Sequence, residues 1–484
     1  MEHFRVHPVY TMDAHSGGAH LTFTIGFTFS GAVDKEQIDS AVKILASKWP
    51  ILGTRLRRPN PDSPVVEALV PDAEHAVLST TFYVTSKSVY QVESFPARTA
   101  TITTQRLSRN LQLYFDESQP TAEEFISSQA PAFCLHVSCL SDATVFSFTF
   151  PHMLMDASGA GSVMRGLISI LEGNTLLDEL KGDPWTNLLG TAQPRTDLSL
   201  RGWTTYGPPE FTAAAEIERL ALERDGPISQ RTIYFPQSEI ARLKGEAMTE
   251  LKALGLDVPF LSSGDVVVAW LYKHFYGDKQ YDAEETSRII YVLDARLRLP
   301  DIFTPDKVYL KNGYILNVTT KYANSKIRDM TLGEIARLVR GLVIEGSKRE
   351  TVLEHLQWKH DNAGAVQVPA PAGERVMFAS NWLTFGFGDL SISSVVRPGT
   401  GTGEVLDTYW WMPGIPRCSG CVTFRNRDGG ICAVFDWAES NWTSGAMRNY
   451  AIETTKKFKK TGEKQRSRIH ALFSWYRRLA TALH

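Results

Sequence analysis

The sequence predicts an α/β fold, because strand patterns are followed directly by amphipathic helices. Residues 21–29 alternate apolar with small or polar side chains, which is the period of a strand with one face in a core. An apolar stripe typical of a helix then runs over residues 38–49 and stops at Pro50. Asp34 and Gln37 have the spacing of a capping box at the start of this helix.

The same order of strand and helix recurs further along the chain. A run of alternating aromatic residues ends at Pro151, and apolar residues of the next segment recur on one helical face until Gly173. The second half repeats these patterns in shorter elements. They are a strand at 231–235, a helix from Ser238 to Met248, a helix capped at 262–265, and strands at 421–424 and 431–436 that flank the turn 427–430.

Length and composition suggest how the chain is divided. A chain of 484 residues with 43% hydrophobic residues is long enough for two or three domains with separate cores. The patterns fade in a Pro-, Gly- and Thr-containing stretch between residues 190 and 225. We therefore predict an N-terminal domain at 1–190, a crossover linker at 191–230 and a C-terminal domain at 231–484. The predicted C-terminal domain ends in a basic helix. The charged face of this helix is either solvated or contacts a membrane or a partner.

Charge and cysteine content exclude several classes of protein. The formal charge is −2, so the field of the whole protein gives no reason to expect a nucleic-acid partner. Five cysteines are an odd and small number for a chain of this length, which argues against a disulfide scaffold. The first residues lack the apolar segment of a secretory signal, and no later stretch is apolar for the width of a bilayer. We expect a cytoplasmic monomer without a transmembrane segment.

His152 and Asp156 are the most informative residues of the chain. His152 directly follows the strand that ends at Pro151, and its imidazole titrates near neutral pH. Asp156 comes four residues later, so its carboxylate can reach back to the loop and fix the pose of the ring. This layout is typical of a general base held at the end of a strand.

A structural role accounts for the same pair. Asp156-Ala157-Ser158 has the composition of a helix start, so Asp156 is alternatively a capping residue beside a half-buried His152. One His and one Asp at this spacing also occur by chance in many proteins of this length. The surrounding motifs must decide between the two interpretations.

A series of short motifs surrounds the pair along nearly the whole chain. They are residues 12–13, 49–56, 152–156, 261–265 before an Ala-Trp helix, 294–300, 309–312, 380–382 and the Gly-Gly hairpin near the end. In this order they resemble the BAHD superfamily of coenzyme-A-dependent acyltransferases, in a form similar to its divergent fungal members. The resemblance implies two chloramphenicol-acetyltransferase-like domains, each a mixed β-sheet flanked by helices, with a channel at their interface.

The resemblance also implies how the histidine and aspartate act. His152 would remove the proton from an acceptor hydroxyl or amine as this group attacks the thioester carbonyl. Asp156 would point away from the ring and pair with Arg296, which follows Asp294 in the matching motif. An oriented histidine contributes roughly 10²–10⁴ in rate. The chemistry needs a base and donors for the oxyanion, so no metal is expected.

Five positions outside this pair complete the implied site. Ser380 and Trp382 match the residues that face the oxyanion, although core packing of the tryptophan is an equal alternative. Acyl-CoA, in the first instance acetyl-CoA, is expected as a co-substrate and not as a tightly bound cofactor. Its expected contacts are Ser262, Ser263 and Asn312.

Two positions depart from the family pattern. The family usually carries Asp-Phe-Gly-Trp-Gly shortly after the tryptophan, and the segment compared with it here, 391–395, reads Ser-Ile-Ser-Ser-Val. The loss of that motif puts the coenzyme A side of the channel in doubt more than the base. Lys311 stands where a glycine is common, and it is either a phosphate contact or a solvated surface lysine.

These expectations define one function and two alternatives. We expect transfer of an acyl group, in the first instance acetyl, from acyl-CoA to a hydroxyl, less readily an amine, of a lipophilic secondary metabolite without a covalent acyl-enzyme. The first alternative is cyclisation or condensation by the same fold without acyl-CoA. Pro151 and Ala157 replace the second histidine and the glycine of condensation domains, which counts against that branch. The second alternative is a small-molecule binder that has lost catalysis.

Three other signals favour structure over chemistry. Cys418 and Cys421 are spaced like half of a zinc site, but no second pair lies near them in the sequence, so packing is favoured. His355 and His360 are five residues apart, the wrong spacing for two ligands on one helical face, and we interpret them as surface residues. The sequence has no Gly-x-Ser-x-Gly motif, which disfavours an acyl-serine intermediate.

Overall fold

In the computed structural model, two mixed β-sheets carry most of the strands. The structure describes residues 2–9, 13, 21–60, 63, 65–116, 120–174, 177–189, 203–206, 210, 213, 216–217, 220, 226–256, 258–279, 281–361, 366–368, 370, 374–412 and 420–452. The predicted basic helix after Asn449 lies almost wholly outside these ranges, as does most of the predicted linker at 191–230.

Strands and helices are numbered in chain order. The strands are β1 (Phe4–Pro8), β2 (Thr22–Ser30), β3 (Arg55–Arg57), β4 (Glu67–Pro71), β5 (Ser79–Val84), β6 (Thr103–Gln105), β7 (Cys134–Cys139), β8 (Ala143–Pro151), β9 (Glu179–Leu180), β10 (Thr204–Tyr206), β11 (Ile228–Phe235), β12 (Thr286–Asp294), β13 (Lys307–Val308), β14 (Tyr314–Val318), β15 (Tyr322–Ala323), β16 (Val366–Val368), β17 (Arg375–Asn381), β18 (Val405–Trp411), β19 (Gly420–Arg425) and β20 (Ile431–Ala438). The helices are α1 (Lys35–Lys48), α2 (Val89–Val92), α3 (Ala122–Ser128), α4 (Ala157–Leu171), α5 (Trp185–Leu189), α6 (Gln237–Ala253), α7 (Ser263–Tyr276), α8 (Asn324–Asp329), α9 (Leu332–Gly346), α10 (Arg349–Asp361) and α11 (Glu439–Thr443).

The first sheet has five strands in the order β18-β2-β8-β7-β5. Strands β5 and β7 are parallel and the other neighbours are antiparallel. Helices α1 and α4 contribute their apolar faces to the core on this sheet, together with aromatic residues of β2 and β8. The core therefore holds the end of β8, from which His152 emerges.

Strand β2 is buried on both faces, so the prediction of a single core face was wrong. It is a central strand between β8 and β18, and its threonines satisfy their hydroxyls inside the protein. The Thr24 hydroxyl lies 2.7 Å from that of Thr149, and the Thr22 hydroxyl donates to the Pro120 carbonyl at 2.9 Å. A threonine can line a buried face when its oxygen is paired, because the desolvation cost is then largely offset.

The second sheet has the order β14-β12-β17-β19-β20-β11-β6, with β15 also pairing with β12. The central neighbours β12, β17 and β19 are parallel. Helices α6, α7 and α9 cover its apolar face and form a second core. The two mixed sheets with flanking helices confirm the predicted α/β class.

Each sheet borrows a strand from the other half of the chain. Strand β18 comes late in the sequence but pairs with β2, and β6 comes early but pairs with β11. Strand β10, which lies in the predicted linker, pairs with β16. The predicted domain boundaries at residues 190 and 231 stay predictions, because each sheet contains strands from both sides of these boundaries.

Most elements form where the sequence patterns predict them, but one helix end and one cap differ. Helix α1 and the β19–β20 hairpin form where they were predicted, while α6 runs five residues beyond its expected end. Asp34 occupies the N-cap position of α1, but its side chain makes no capping hydrogen bond. The predicted capping box with Gln37 is therefore wrong. The carboxylate of Asp34 instead lies 3.6 Å from the guanidinium of Arg397.

Gly159, in the first turn of α4, lets that helix approach the segment before β14. A β-carbon at Gly159 would overlap the backbone carbonyl of Leu310. We expect Gly159→Ala to lower the free energy of unfolding by about 1–3 kcal/mol, because backbone must move to make room. Gly245→Ala is the matched control: it is exposed within α6 with nothing near its β-carbon. It should raise stability by about 0.5–1 kcal/mol in urea unfolding. Equal effects of the two substitutions would contradict the close approach.

Candidate active site

His152 is held in a turn at the end of β8. Its backbone N–H donates to the Leu21 carbonyl at 2.7 Å, which continues the pairing of β8 with β2. The Leu154 N–H then donates to the Pro151 carbonyl at 2.9 Å and closes the turn. The residue is half-buried, with the ring of Phe23 at 5.6 Å and that of Tyr314 at 5.5 Å between centroids.

The turn fixes the tautomer of the imidazole. His152 Nδ1 lies 3.0 Å from the Met155 carbonyl oxygen. A carbonyl oxygen only accepts hydrogen bonds, so Nδ1 carries the proton and Nε2 of the neutral ring has the lone pair. Burial lowers the pKa of His152, against the opposing charge of Asp156. The ring is therefore neutral near pH 7, which is the protonation state that a general base needs.

Asp156 has both of the roles that the sequence left open. It is the N-cap of α4, and its Oδ1 accepts from the Gly159 N–H at 2.9 Å. The same carboxylate accepts two hydrogen bonds of 3.0 Å from Arg296 and one of 2.9 Å from the Gly313 N–H. None of these hydrogen bonds is made to the imidazole of His152. Asp156 therefore positions the loop and does not touch the ring.

Arg296 connects this carboxylate to the second half of the chain. Besides Asp156, it donates to Asp294 Oδ1 at 3.0 Å and to the carbonyls of Tyr309 and Lys311. Asp294 also accepts from the Arg296 backbone N–H at 2.9 Å. Because the planar guanidinium saturates its donors on fixed acceptors, the start of α4 is clamped to the segment that leads into β14.

Asn312 holds the backbone of His152 from the same segment. Its Nδ2 donates to the His152 carbonyl at 2.7 Å and to Asp13 Oδ1 at 2.8 Å, and its backbone N–H donates to the same Asp13 oxygen at 3.1 Å. Asn312 is fully buried, so this placement favours a positioning role over the predicted contact with coenzyme A. Burial raises the pKa of Asp13 to about 6, with Lys311 opposing. The early Met-Asp motif contributed to the resemblance, but the sequence did not identify Asp13 as a partner of Asn312.

Ser380 and Trp382 lie at the end of β17 and are hydrogen-bonded to each other. The indole Nε1–H of Trp382 donates to Ser380 Oγ at 2.9 Å. The single indole proton is therefore used within the pair, and the hydroxyl proton of Ser380 is the one left to donate. Trp382 is also buried core, 5.9 Å from Phe23 between ring centroids. Phe23 thus contacts both the candidate base His152 and Trp382, the hydrogen-bond partner of Ser380.

Ser262 and Ser263 lie at the N-terminus of α7, beside the same strand end. Ser262 is the N-cap, and its hydroxyl accepts from the Asp265 N–H at 3.2 Å. This confirms the predicted cap. A β-carbon on Gly264 would contact Asn381, the residue after Ser380, so the first turn of α7 packs on the end of β17. Ser263 is half-buried there, and its hydroxyl is not used by the cap.

An aromatic turn at residues 385–388 supports Trp382. Residues 385–388 read Phe-Gly-Phe-Gly, which matches the order of the family motif more closely than residues 391–395 do. The Phe387 ring lies 5.9 Å from that of Trp382, and Gly386 has a φ of 65°, which only glycine adopts readily. The aromatic and glycine composition next to the tryptophan was the signal that could have identified it.

Among the histidines and cysteines outside the predicted site, His355 differs from its predicted environment. His360 is exposed as predicted, but His355 is buried against Trp203, with ring centroids 4.9 Å apart, so its assignment to the surface was wrong. Cys421 is buried in β19, where desolvation raises the pKa of its thiol to about 12, and Cys418 lies outside the described residues. In the described part of the chain, no cluster of His, Cys, Asp and Glu could hold a metal ion. Nor do the described helices include one that is long and apolar enough to cross a membrane.

This chain, with its two mixed sheets and a histidine at a strand end, is similar to known acyltransferases. No family model matches the chain. It is similar to the acetyltransferase AdrJ of Penicillium rubens, with 27% identity over 68% of each chain. It is also similar to the O-acyltransferase AusP of Aspergillus calidoustus, with 24% identity over 84% of this chain and 87% of the relative.

Solved structures share the fold. TRI101 of Fusarium sporotrichioides, in complex with coenzyme A and T-2, superposes with a TM-score of 0.63 and 11% identity over 90% of this chain and 96% of the other. Vinorine synthase superposes with a TM-score of 0.56 and 12% identity over 91% of each chain. The sequence relatives and the fold confirm the resemblance to a divergent, fungal-type BAHD acyltransferase.

Proposed function

We propose that this protein transfers an acetyl group from acetyl-CoA to a hydroxyl of a lipophilic secondary metabolite, with His152 as the general base. The observation that carries the proposal is the hydrogen bond from His152 Nδ1 to the Met155 carbonyl. It leaves the lone pair of the neutral ring on Nε2, the nitrogen that the turn does not engage, at a position where a proton can be accepted. The proton of a substrate hydroxyl can then take that position.

The reaction follows from this geometry in two proton transfers. Nε2 accepts the hydroxyl proton as the substrate oxygen forms its bond to the thioester carbonyl carbon, so the ring becomes an imidazolium. The carbonyl π electrons move to its oxygen and give a tetrahedral oxyanion. When the oxyanion collapses, the C–S bond breaks and the thiolate takes the proton from His152. The ester and the free thiol are released, and no residue is acylated.

Ser380 is the proposed donor to the oxyanion. Its oxygen accepts from Trp382, which polarises the hydroxyl and directs its proton outward. One such donor is worth roughly 10²–10³ in rate. Trp382 then acts through Ser380, and this replaces the expectation that both groups face the oxygen directly. Asp156, Arg296 and Asn312 are proposed as positioning residues, because their contacts end on the loop of His152.

The coenzyme A side is proposed at the start of α7. Of the three residues expected there, Ser263 is half-buried and its hydroxyl takes no part in the helix cap. The solved structures of TRI101 with coenzyme A, and of the Fusarium graminearum protein with coenzyme A and deoxynivalenol, support a two-substrate reaction of this kind. The names of the sequence relatives support acetyl as the transferred group.

The direct test is thiol release. Acetyl-CoA is incubated with the protein and a panel of hydroxylated terpenoids, including deoxynivalenol, while a thiol-reactive dye reports free coenzyme A. Mass spectrometry should show one added acetyl group on the accepted compound, and its deoxy analogue should remain unchanged. Acetyl-CoA binding with no thiol release on any hydroxyl acceptor would favour a binder. A compound that is changed without consuming acetyl-CoA would favour cyclisation or condensation.

A further inference from the structure

Lys359 of α10 is a buried lysine without a hydrogen-bond partner. Its side chain is 3% exposed, and no group of the described residues accepts a hydrogen bond from Nζ. Lys273 of α7 shows how this fold treats a structural lysine, since its Nζ donates to the carbonyls of Arg328 and Met330. A methionine at 359 would fill a similar volume without the cost of desolvating an amine.

The amine of Lys359 lies next to the candidate active site. Its Nζ is 4.9 Å from the ring centroid of Tyr314, whose ring is in turn 5.5 Å from that of His152. Tyr314 begins β14, directly after Asn312 and Gly313, which hold the His152 loop. Lys359 therefore faces the aromatic ring that borders the candidate base.

The charge of Lys359 is only partly compensated. Asp13 is the charged group that acts on it, and Asp13 Oδ1 already accepts two hydrogen bonds from Asn312. Burial lowers the pKa of Lys359 to about 8, with Asp13 opposing. At pH 7 the group is therefore mostly an ammonium, with three N–H donors and a cation–π contact to Tyr314.

We propose that Lys359 binds a carboxylate oxygen of the acceptor substrate beside His152. A carboxylate supplies the acceptor atoms and the negative charge that the ammonium lacks, and a charge-assisted hydrogen bond is about twice as strong as a neutral one. The proposal rests on the proposed function only in naming the ligand as the acceptor. It predicts that acidic metabolites, or carboxylates near the reacting hydroxyl, are preferred over neutral analogues.

The test uses cyclohexanecarboxylate and acetate as probes, with cyclohexanecarboxamide and acetamide as neutral counterparts. Isothermal titration calorimetry at pH 7 should show that the wild type binds at least one carboxylate about tenfold more tightly than Lys359→Met does. The amides should not distinguish the two proteins. Lys273→Met is the matched control: it should melt at a lower temperature and keep the wild-type affinity for the carboxylate.

The wild type alone provides a second readout, which does not depend on the folding of a variant. In the protein without ligand, the ammonium of Lys359 loses its proton between pH 7 and 9. Carboxylate affinity is proportional to the protonated fraction, so it should fall about tenfold over this range. Asp13, with a pKa of about 6, titrates below this range. In Lys359→Met the affinity should not change between these pH values.

Three results would overturn the proposal. They are equal carboxylate binding by wild type and Lys359→Met, no carboxylate binding by the wild type, and a loss of coenzyme A affinity in Lys359→Met, which would assign the amine to the coenzyme phosphates. None of these measurements uses acyl transfer. If carboxylate binding depends on Lys359 while no thiol is released from acetyl-CoA, the binding site stands and the proposed function fails.

Discussion

Replacing His152 by alanine is expected to lower the rate of thiol release from acetyl-CoA by about 10²–10⁴-fold. The substitution removes the one ring whose proton is fixed by the Met155 carbonyl, so no group remains to take the proton of the attacking hydroxyl. The ring is half-buried and its loss leaves a small open space, so the fold should remain intact. Calorimetry should show an unchanged dissociation constant for coenzyme A, which separates lost chemistry from lost binding.

His360→Ala is the control for this experiment, because His360 is an exposed histidine on α10. Its rate should equal that of the wild type. The pH profile gives independent evidence, since burial lowers the pKa of His152 below the ordinary 6.5. As the pH falls through this lowered pKa the base is protonated, so activity should be lost only on the acid side of 6.5. If His152→Ala kept acyl transfer within a factor of ten of the wild type, the general-base role would be wrong.

Local patterns were sufficient to predict the histidine and its loop. Residues 143–156 contain the strand, the turn and the helix cap in one continuous segment, so their geometry follows from spacing alone. The sequence left Asp156 open between a cap and an anchor for arginine. The structure shows that one carboxylate does both, because its two oxygens accept from Gly159 and Gly313 as well as from Arg296.

Contacts between distant parts of the chain could not be predicted in the same way. Asp13 and Asn312 are 299 positions apart, and neither has a neighbour in sequence that identifies the other. The exchange of β6 and β18 between the sheets is equally non-local. Lys359 gave no signal, because a lysine near a helix end is ordinarily solvated and only tertiary packing buries it.

Asp156→Asn is expected to lower both stability and activity. An amide can still accept from Gly159 through its oxygen, but its NH₂ group then faces N–H donors of Arg296 or Gly313. Two hydrogen-bond donors then face each other, and the buried guanidinium of Arg296 loses one of its carboxylate partners. Breaking a buried ion pair in this way costs about 3–5 kcal/mol. The free energy of unfolding in urea should fall by that amount. The kcat should also fall, because the start of α4 and the His152 turn share this anchor.

Glu374→Gln separates the two effects. Glu374 accepts two hydrogen bonds, of 3.0 and 2.8 Å, from the buried Arg288, at the far end of β12 and β17 from Ser380. Its loss should cost a similar free energy of unfolding and leave kcat unchanged. A double-mutant cycle of Asp156→Asn with Arg296→Lys should be strongly non-additive in both stability and kcat, since each change disrupts the same bidentate pair. If Glu374→Gln lowered kcat as much as Asp156→Asn does, general destabilisation would explain the loss. Asp156 would then have no specific part in placing the base.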